Sequence, residues 1–249
     1  MSSIGTLYTI PRQTIGKFIL AVAALNSLTL DPTPSSYIHY QTNKTPEFTS
    51  KFPHAKIPAF ESKDGSFKLF EGYAIARYLA SLAPNSNHKL LGTSPEEAAL
   101  VDQWSHLAET EFDIPSTFIE RMCRGSPDHP YSKPIHNQLL ERISRTLNTF
   151  NDHLTANTYL VGERLTLADL VLASAVYRAI QTTFDKELRR KFGAVVRHFE
   201  TVVNQEKVKD IFGTVEYAEK AIAFTPPKKE KPRKEVDDEA TVPAESARG

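Results

Sequence analysis

The chain has 249 residues with 30 basic and 30 acidic side chains, a formal net charge of zero. Grip on a phosphate backbone comes from an excess of Lys and Arg, so direct nucleic-acid binding is not expected. A single cysteine, Cys123, excludes an internal disulfide framework and a cysteine-cluster zinc site, while the length suffices for a sizeable core in one or two domains.

The N-terminal segment MSSIGTLYTIPRQ has no basic start followed by an apolar run, so no secretory signal is read. Residues 4–10 are rich in β-formers, and Pro11 closes them. Ile15, Phe18, Ile19 and Val22 then recur at i, i+3, i+4 and i+7, one face of an amphipathic helix. Residues 37–40 predict a second strand. Thr45-Pro46-Glu47 offers an N-cap with proline at the first helical position, and predicts a short helix to about Phe52. Residues 57–61 and 67–70 predict two brief strands joined by the turn Lys63-Asp64-Gly65-Ser66. Helical spacing returns at Ile75, Tyr78, Leu79 and Leu82. This order predicts a small mixed sheet whose first pair is parallel, joined by a right-handed helical crossover.

From Ser94 onward the pattern is helix after helix. Ser94-Pro95-Glu96-Glu97 reads as a capping box with proline at N1. Leu139, Ile143, Leu147, Phe150 and Leu154 make one apolar stripe; Leu188, Phe192, Val195, Val196 and Phe199 make another. Residues 165–177 are apolar almost all round, which places that helix at the centre of a bundle. Asp169 interrupts the stretch, which is too short for a membrane span. Thr166 and Asp169 form its capping box. Residues 225–249 carry a basic run and then an acidic one, with nothing large to bury, and predict a disordered linker or tail. The expected divisions are 2–86 for an α/β domain, 93–222 for an all-helical domain and 223–249 for the charged tail.

Metal and nucleotide chemistry find no support. The eight histidines show no H-x3-H spacing, and neither a Walker A sequence nor GxGxxG is present. Cys123 has Arg121 and Arg124 beside it, which could lower its pKa, but no paired His or second Cys, and reads as a bystander.

An α/β domain of about 85 residues joined to a helical one resembles the glutathione transferase fold: a thioredoxin-like domain followed by a helical bundle. The resemblance is carried by Lys56-Ile57-Pro58-Ala59-Phe60, by Leu69-Phe70-Glu71-Gly72-Tyr73-Ala74-Ile75, and by residues 160–169. It implies a cis bond before Pro58, exposing the backbone of Ile57 to glutathione's cysteinyl backbone. Residues 5–9, 41–48, 51–53 and 161–164, with Ala218-Glu219-Lys220-Ala221 and Thr225-Pro226-Pro227-Lys228-Lys229, are similar to the transferase-like domains of the translation elongation factor 1-gamma group. That implies a subunit of the elongation factor 1 complex that anchors the nucleotide-exchange subunit. Members of that group continue past a charged linker into a second domain, whereas this sequence ends within the linker.

A transferase must favour glutathione's thiolate with a hydroxyl near the end of the first strand. Anchoring on Pro11 puts the tyrosine-type position on Thr9; a serine-type position falls nearest Thr14, with Arg12 beside it; Tyr8 is a third candidate, on the opposite face of the strand. None matches cleanly. The resemblance assigns glutathione binding, where retained, to Arg12, Ile57, Pro58, Glu71 and Gly72. In the family a Glu-Ser pair opens the third helix and holds the γ-glutamyl end; here Glu71 stays but Gly72 replaces serine. Losing one hydrogen bond to a charged group costs about 1.5–3 kcal/mol, roughly ten- to a hundredfold in affinity. The expectation is a non-catalytic cytoplasmic scaffold that requires no cofactor, retains residual glutathione binding at most, and can form a homodimer. The alternative is an active glutathione transferase.

Overall fold

The structure, a computed structural model, describes residues 2–11, 13–83 and 88–226. The first unit is built on β1 (Gly5–Tyr8), α1 (Thr14–Leu25), α2 (Pro46–Lys51), β2 (Ala59–Ser62), β3 (Lys68–Phe70) and α3 (Gly72–Ser81). The three strands lie in the order β1-β2-β3, antiparallel throughout, with Leu7 opposite Phe60 and Phe60 opposite Leu69. Leu7 and Phe60 are buried against Phe18, Ile19 and Val22 of α1 and Ile75 and Leu79 of α3, so the apolar periodicities of both helices meet on one sheet face.

The strand predicted at residues 37–40 does not form. Parallel pairing with β1 is made instead by residues 29–31, through Ile4 N–H to Thr29 O (3.0 Å), Asp31 N–H to Gly5 O (2.8 Å) and the single bridge Thr6–Asp31. Pro32 and Pro34 then lead the chain into turns, where the Ile38 N–H is capped by the Thr42 hydroxyl at 2.8 Å. Tyr37 keeps an apolar role in an aromatic cluster with Tyr8 and Phe48, while Ile38 and Tyr40 face solvent. β-propensity describes fit to a pleated, half-buried surface, and none is within reach there.

The helical unit runs α4 (Pro95–Ala108), α5 (Ile114–Cys123), α6 (Lys133–Ala156), α7 (Leu167–Ile180), α8 (Lys186–Lys191), α9 (Gly193–Val203) and α10 (Lys209–Phe212). The Ser94 hydroxyl caps α4 by accepting from the Glu97 N–H, but the Glu97 carboxylate bonds Thr93 and Arg164, so only half of the expected box forms. The stripe over residues 188–199 is divided between α8 and α9: Phe192 leaves the helical range (φ −112°, ψ 51°) with its ring fully buried. A π-helical turn, Glu109–Asp113, joins α4 to α5 just ahead of Pro115, which lacks the N–H that would continue the ladder.

α7 is the predicted central helix. Twelve of its 14 residues are buried, between α1, α4 and α9. Its start is closed by the reciprocal Thr166–Asp169 box. The Asp169 carboxylate, itself fully buried, accepts from the Thr166 N–H (2.7 Å) and hydroxyl (2.8 Å), the Leu160 N–H (2.8 Å) and His198 Nε2 (2.9 Å). α1 packs directly on α7, so the two units share a continuous core and a seam; the Ser174 hydroxyl of α7 donates to Thr14 O at 2.6 Å. No described helix is long and apolar enough to cross a membrane. Arg12, residues 84–86 of the expected first domain and residues 227–249 of the expected tail lie outside the described residues.

Candidate functional site

The site lies where the end of β1, the start of α1, the segment before β2 and the start of α3 converge. The Ile57–Pro58 bond is cis, and Ile57 is buried. The segment leading to it is held from below: Asn43, 2% exposed, donates through Nδ2 to Ala55 O at 2.6 Å, fixing a residue at φ 54°. Glu71 stands at φ 71°, ψ 119°, a strained position for a side chain, and no side chain caps the α3 start it opens. The first N–H groups of α3, at the positive end of its dipole, therefore have no side-chain cap.

The Gly72 position is not simply a missing hydroxyl. A Cβ there would stand well inside van der Waals contact with Ile15 Cγ2 and 3.4 Å from both Phe18 Cζ and Pro58 Cγ. Ile15 fills the volume that a serine side chain would need.

The three hydroxyl candidates separate. Thr9 turns towards α1, against Gly16, and its hydroxyl donates to Gln13 Oε1 at 3.0 Å. Thr14 begins α1 buried in the seam; its hydroxyl accepts from Arg178 Nη2 at 2.5 Å, and Arg178 Nε bonds Asp113 at 3.1 Å. Tyr8 lies in the aromatic cluster and donates to Glu61 at 3.2 Å; burial first, then the Glu61 charge, pushes its pKa up. The side chain that does enter the cleft is one that sequence reasoning passed over. Gln13, the residue preceding α1, donates through Nε2 to Ile57 O at 2.6 Å. Its polar side chain four residues after Thr9 was the one available signal.

Carboxylates gather at the other end of the site. Burial raises the Glu109 carboxyl to about 7, helped by the charges of Asp113 and Glu71. Burial raises Asp113 as well, against the pull of Arg178. The π turn presents both to the seam, and Pro115 is its sequence cause. Beyond Thr14 a cavity of about 650 Å³ opens along the seam, with Lys17, Glu120, Arg124, Arg178 and Glu216 in its walls. That lining suits a polar or charged group better than an apolar aromatic one. Cys123 is buried at the end of α5, and burial pushes its thiol up rather than down, which favours the bystander reading. No group of three His, Cys, Asp or Glu side chains among the described residues could hold a metal ion.

Comparison with known proteins agrees with this geometry. Residues 5–81 match the glutathione S-transferase N-terminal domain and residues 114–206 its C-terminal domain. A glutathione S-transferase-like protein of Fusarium, LUC7, is 36% identical over 214 residues, covering 86% of this chain and 94% of that protein. The chain belongs to the glutathione S-transferase family. Human elongation factor 1-gamma is 35% identical over 240 residues, which is 93% of this chain and 53% of the human protein; the chain thus spans about half the length of such relatives. Among solved structures, the transferase-like domain of elongation factor 1-gamma from Saccharomyces cerevisiae superposes with a TM-score of 0.77 at 27% identity, covering 90% of this chain and all of that one. Glutathione transferase F2 of Populus trichocarpa gives 0.72 at 22% identity over 83% of this chain and 96% of that one, a likeness of fold. The fold is therefore the expected one, a thioredoxin-like unit followed by a helical unit.

Proposed function

We propose that the chain is a non-catalytic scaffold of the elongation factor 1 complex, docking the nucleotide-exchange subunit through its transferase-like module. The observation that carries this is the engagement of every candidate hydroxyl: Thr9 by Gln13, Thr14 by Arg178 and Tyr8 by Glu61. The O–H groups of Thr9 and Tyr8 are spent on Gln13 and Glu61, and Thr14 is buried in the seam on Arg178, so neither Thr9 nor Tyr8 offers a thiolate a free donor. The filled volume beside Gly72 and the charged seam cavity support the same reading, and so do relatives named elongation factor 1-gamma. The scaffold acts in the cytoplasm, needs no cofactor, and pairs with a second copy across the first unit of one and the helical unit of the other. Glu71 and the open α3 start leave it a weak grip on glutathione.

Active conjugation is the second reading, favoured by the near-complete overlap with the Fusarium transferase-like protein and by the strained Glu71. Co-purification from eukaryotic cytosol, with and without excess glutathione, separates the two. The scaffold reading predicts recovery of the exchange subunit, undiminished by glutathione. Failure to recover it, together with turnover of an aryl halide, overturns that reading.

A further inference from the structure

The cis-proline segment offers a peptide ligand two backbone groups of residue 57, an acceptor and a donor. Ile57 O is already taken. Gln13 Nε2 lies 2.6 Å from it, and the other end of the same carboxamide accepts from the Thr9 hydroxyl at 3.0 Å. The carboxamide has the shape and polarity of a peptide group, with one N–H donor towards Ile57 and one C=O turned back to β1. From these contacts we infer that Gln13 is an internal surrogate for the ligand's cysteinyl amide: its carboxamide occupies the binding edge beside Ile57 and sets the affinity for glutathione.

Three features support an occupant rather than a structural prop. Gln13 precedes α1 yet makes no capping bond to it, so the side chain is not needed to start the helix. Asn43 independently holds Ala55 and with it the approach to Ile57, so the loop does not depend on Gln13 for its path. Thr9 is itself fixed by its packing on Gly16 and by its N–H bond to the Thr33 hydroxyl at 2.8 Å, and so keeps the carboxamide in one orientation. An incoming N–H has to compete for Ile57 O with an amide that is already aligned, exchanging one neutral hydrogen bond for another. Such an exchange is worth about two- to tenfold in affinity.

This inference rests on reading the cleft as a weakened tripeptide site, but its test is a ratio and does not depend on whether the protein turns over. Titration calorimetry compares the wild-type protein with Gln13→Ala for two probes, reduced glutathione and S-methylglutathione, which keeps the peptide edge without the thiol. Binding about two- to tenfold tighter in Gln13→Ala, equal for the two probes, is the expected result. Thr9→Val, which frees the carboxamide without removing it, gives a smaller change in the same direction. Should Gln13→Ala unfold, Gln13→Met preserves the length and apolar bulk without the amide and takes its place. Unchanged or weaker binding, no detectable binding to either protein, or a gain confined to the thiol form overturns the inference. Turnover by the wild-type protein with the predicted ratio intact counts against the scaffold reading alone.

Discussion

Two helix starts in this molecule have opposite designs. The start of α7 is closed: Asp169 and Thr166 cap each other, and four donors converge on one buried carboxylate. The start of α3 is open: Glu71 is held at φ 71° and no side chain caps it. The first arrangement stabilises a core helix on which the whole helical unit packs. The second tolerates backbone strain of about 1–3 kcal/mol.

The closed start is the easier to break, and the largest effect is expected there. Asp169→Ala strands His198, the Leu160 N–H and both Thr166 donors inside the core; urea unfolding should show a loss of about 3–5 kcal/mol. A loss below about 1 kcal/mol means that the network is not what secures α7. At the open start, Gly72→Ser forces a Cβ onto Ile15 and should cost about 1–3 kcal/mol. Combining it with Ile15→Ala should recover part of that loss, giving a favourable coupling in a double-mutant cycle. Additive costs instead show that Ile15 is not the obstruction.

The seam between the two units responds to pH. Glu109 has a folded pKa of about 7, above the usual carboxylate range. The folded state therefore binds a proton that the unfolded state has already released, and stability falls as pH rises through about 4.5 to 7. Thermal unfolding of the wild-type protein should weaken across that window, with Asp113 contributing in the same sense. Glu109→Gln removes the charge, and at about pH 8 should be more stable by about 1–2 kcal/mol, with a flatter profile. An unchanged pH profile contradicts the assignment of a buried acid at this position. The smallest effect is expected at Glu71→Gly, which relieves an unfavourable φ and should stabilise by about 0.5–1 kcal/mol while weakening glutathione binding. A variant that binds as well as the wild type shows that Glu71 is strained for no ligand.

The sequence made the closed start legible and the open one only partly so. Thr166 and Asp169 announce themselves by spacing, and the unbroken apolar run after them has one physical home, the bundle centre. Pro58 and Glu71 stand out by resemblance; the structure shows the cis bond that the resemblance implies before Pro58 and places Glu71 at the start of α3. What stayed hidden depends on contacts between residues far apart in the chain. Gln13 becomes part of the cleft only because Ile57 folds against it, 44 positions away. Gly72 reads as a deleted hydroxyl until Ile15 is seen in its place. Residues 37–40 carry the side chains of a strand, but residues 29–31 already occupy the edge of β1. Local propensity cannot report which of two segments reaches an edge first.

In this cleft the Thr9 and Tyr8 hydroxyls already donate to Gln13 and Glu61, and Thr14 is buried in the seam against Arg178. Steady-state conjugation of an aryl halide at saturating glutathione tests this arrangement most directly. The expected rate is indistinguishable from that of buffer with glutathione alone. Turnover above that background, abolished by Thr9→Val or Thr14→Val while the protein stays folded, contradicts it.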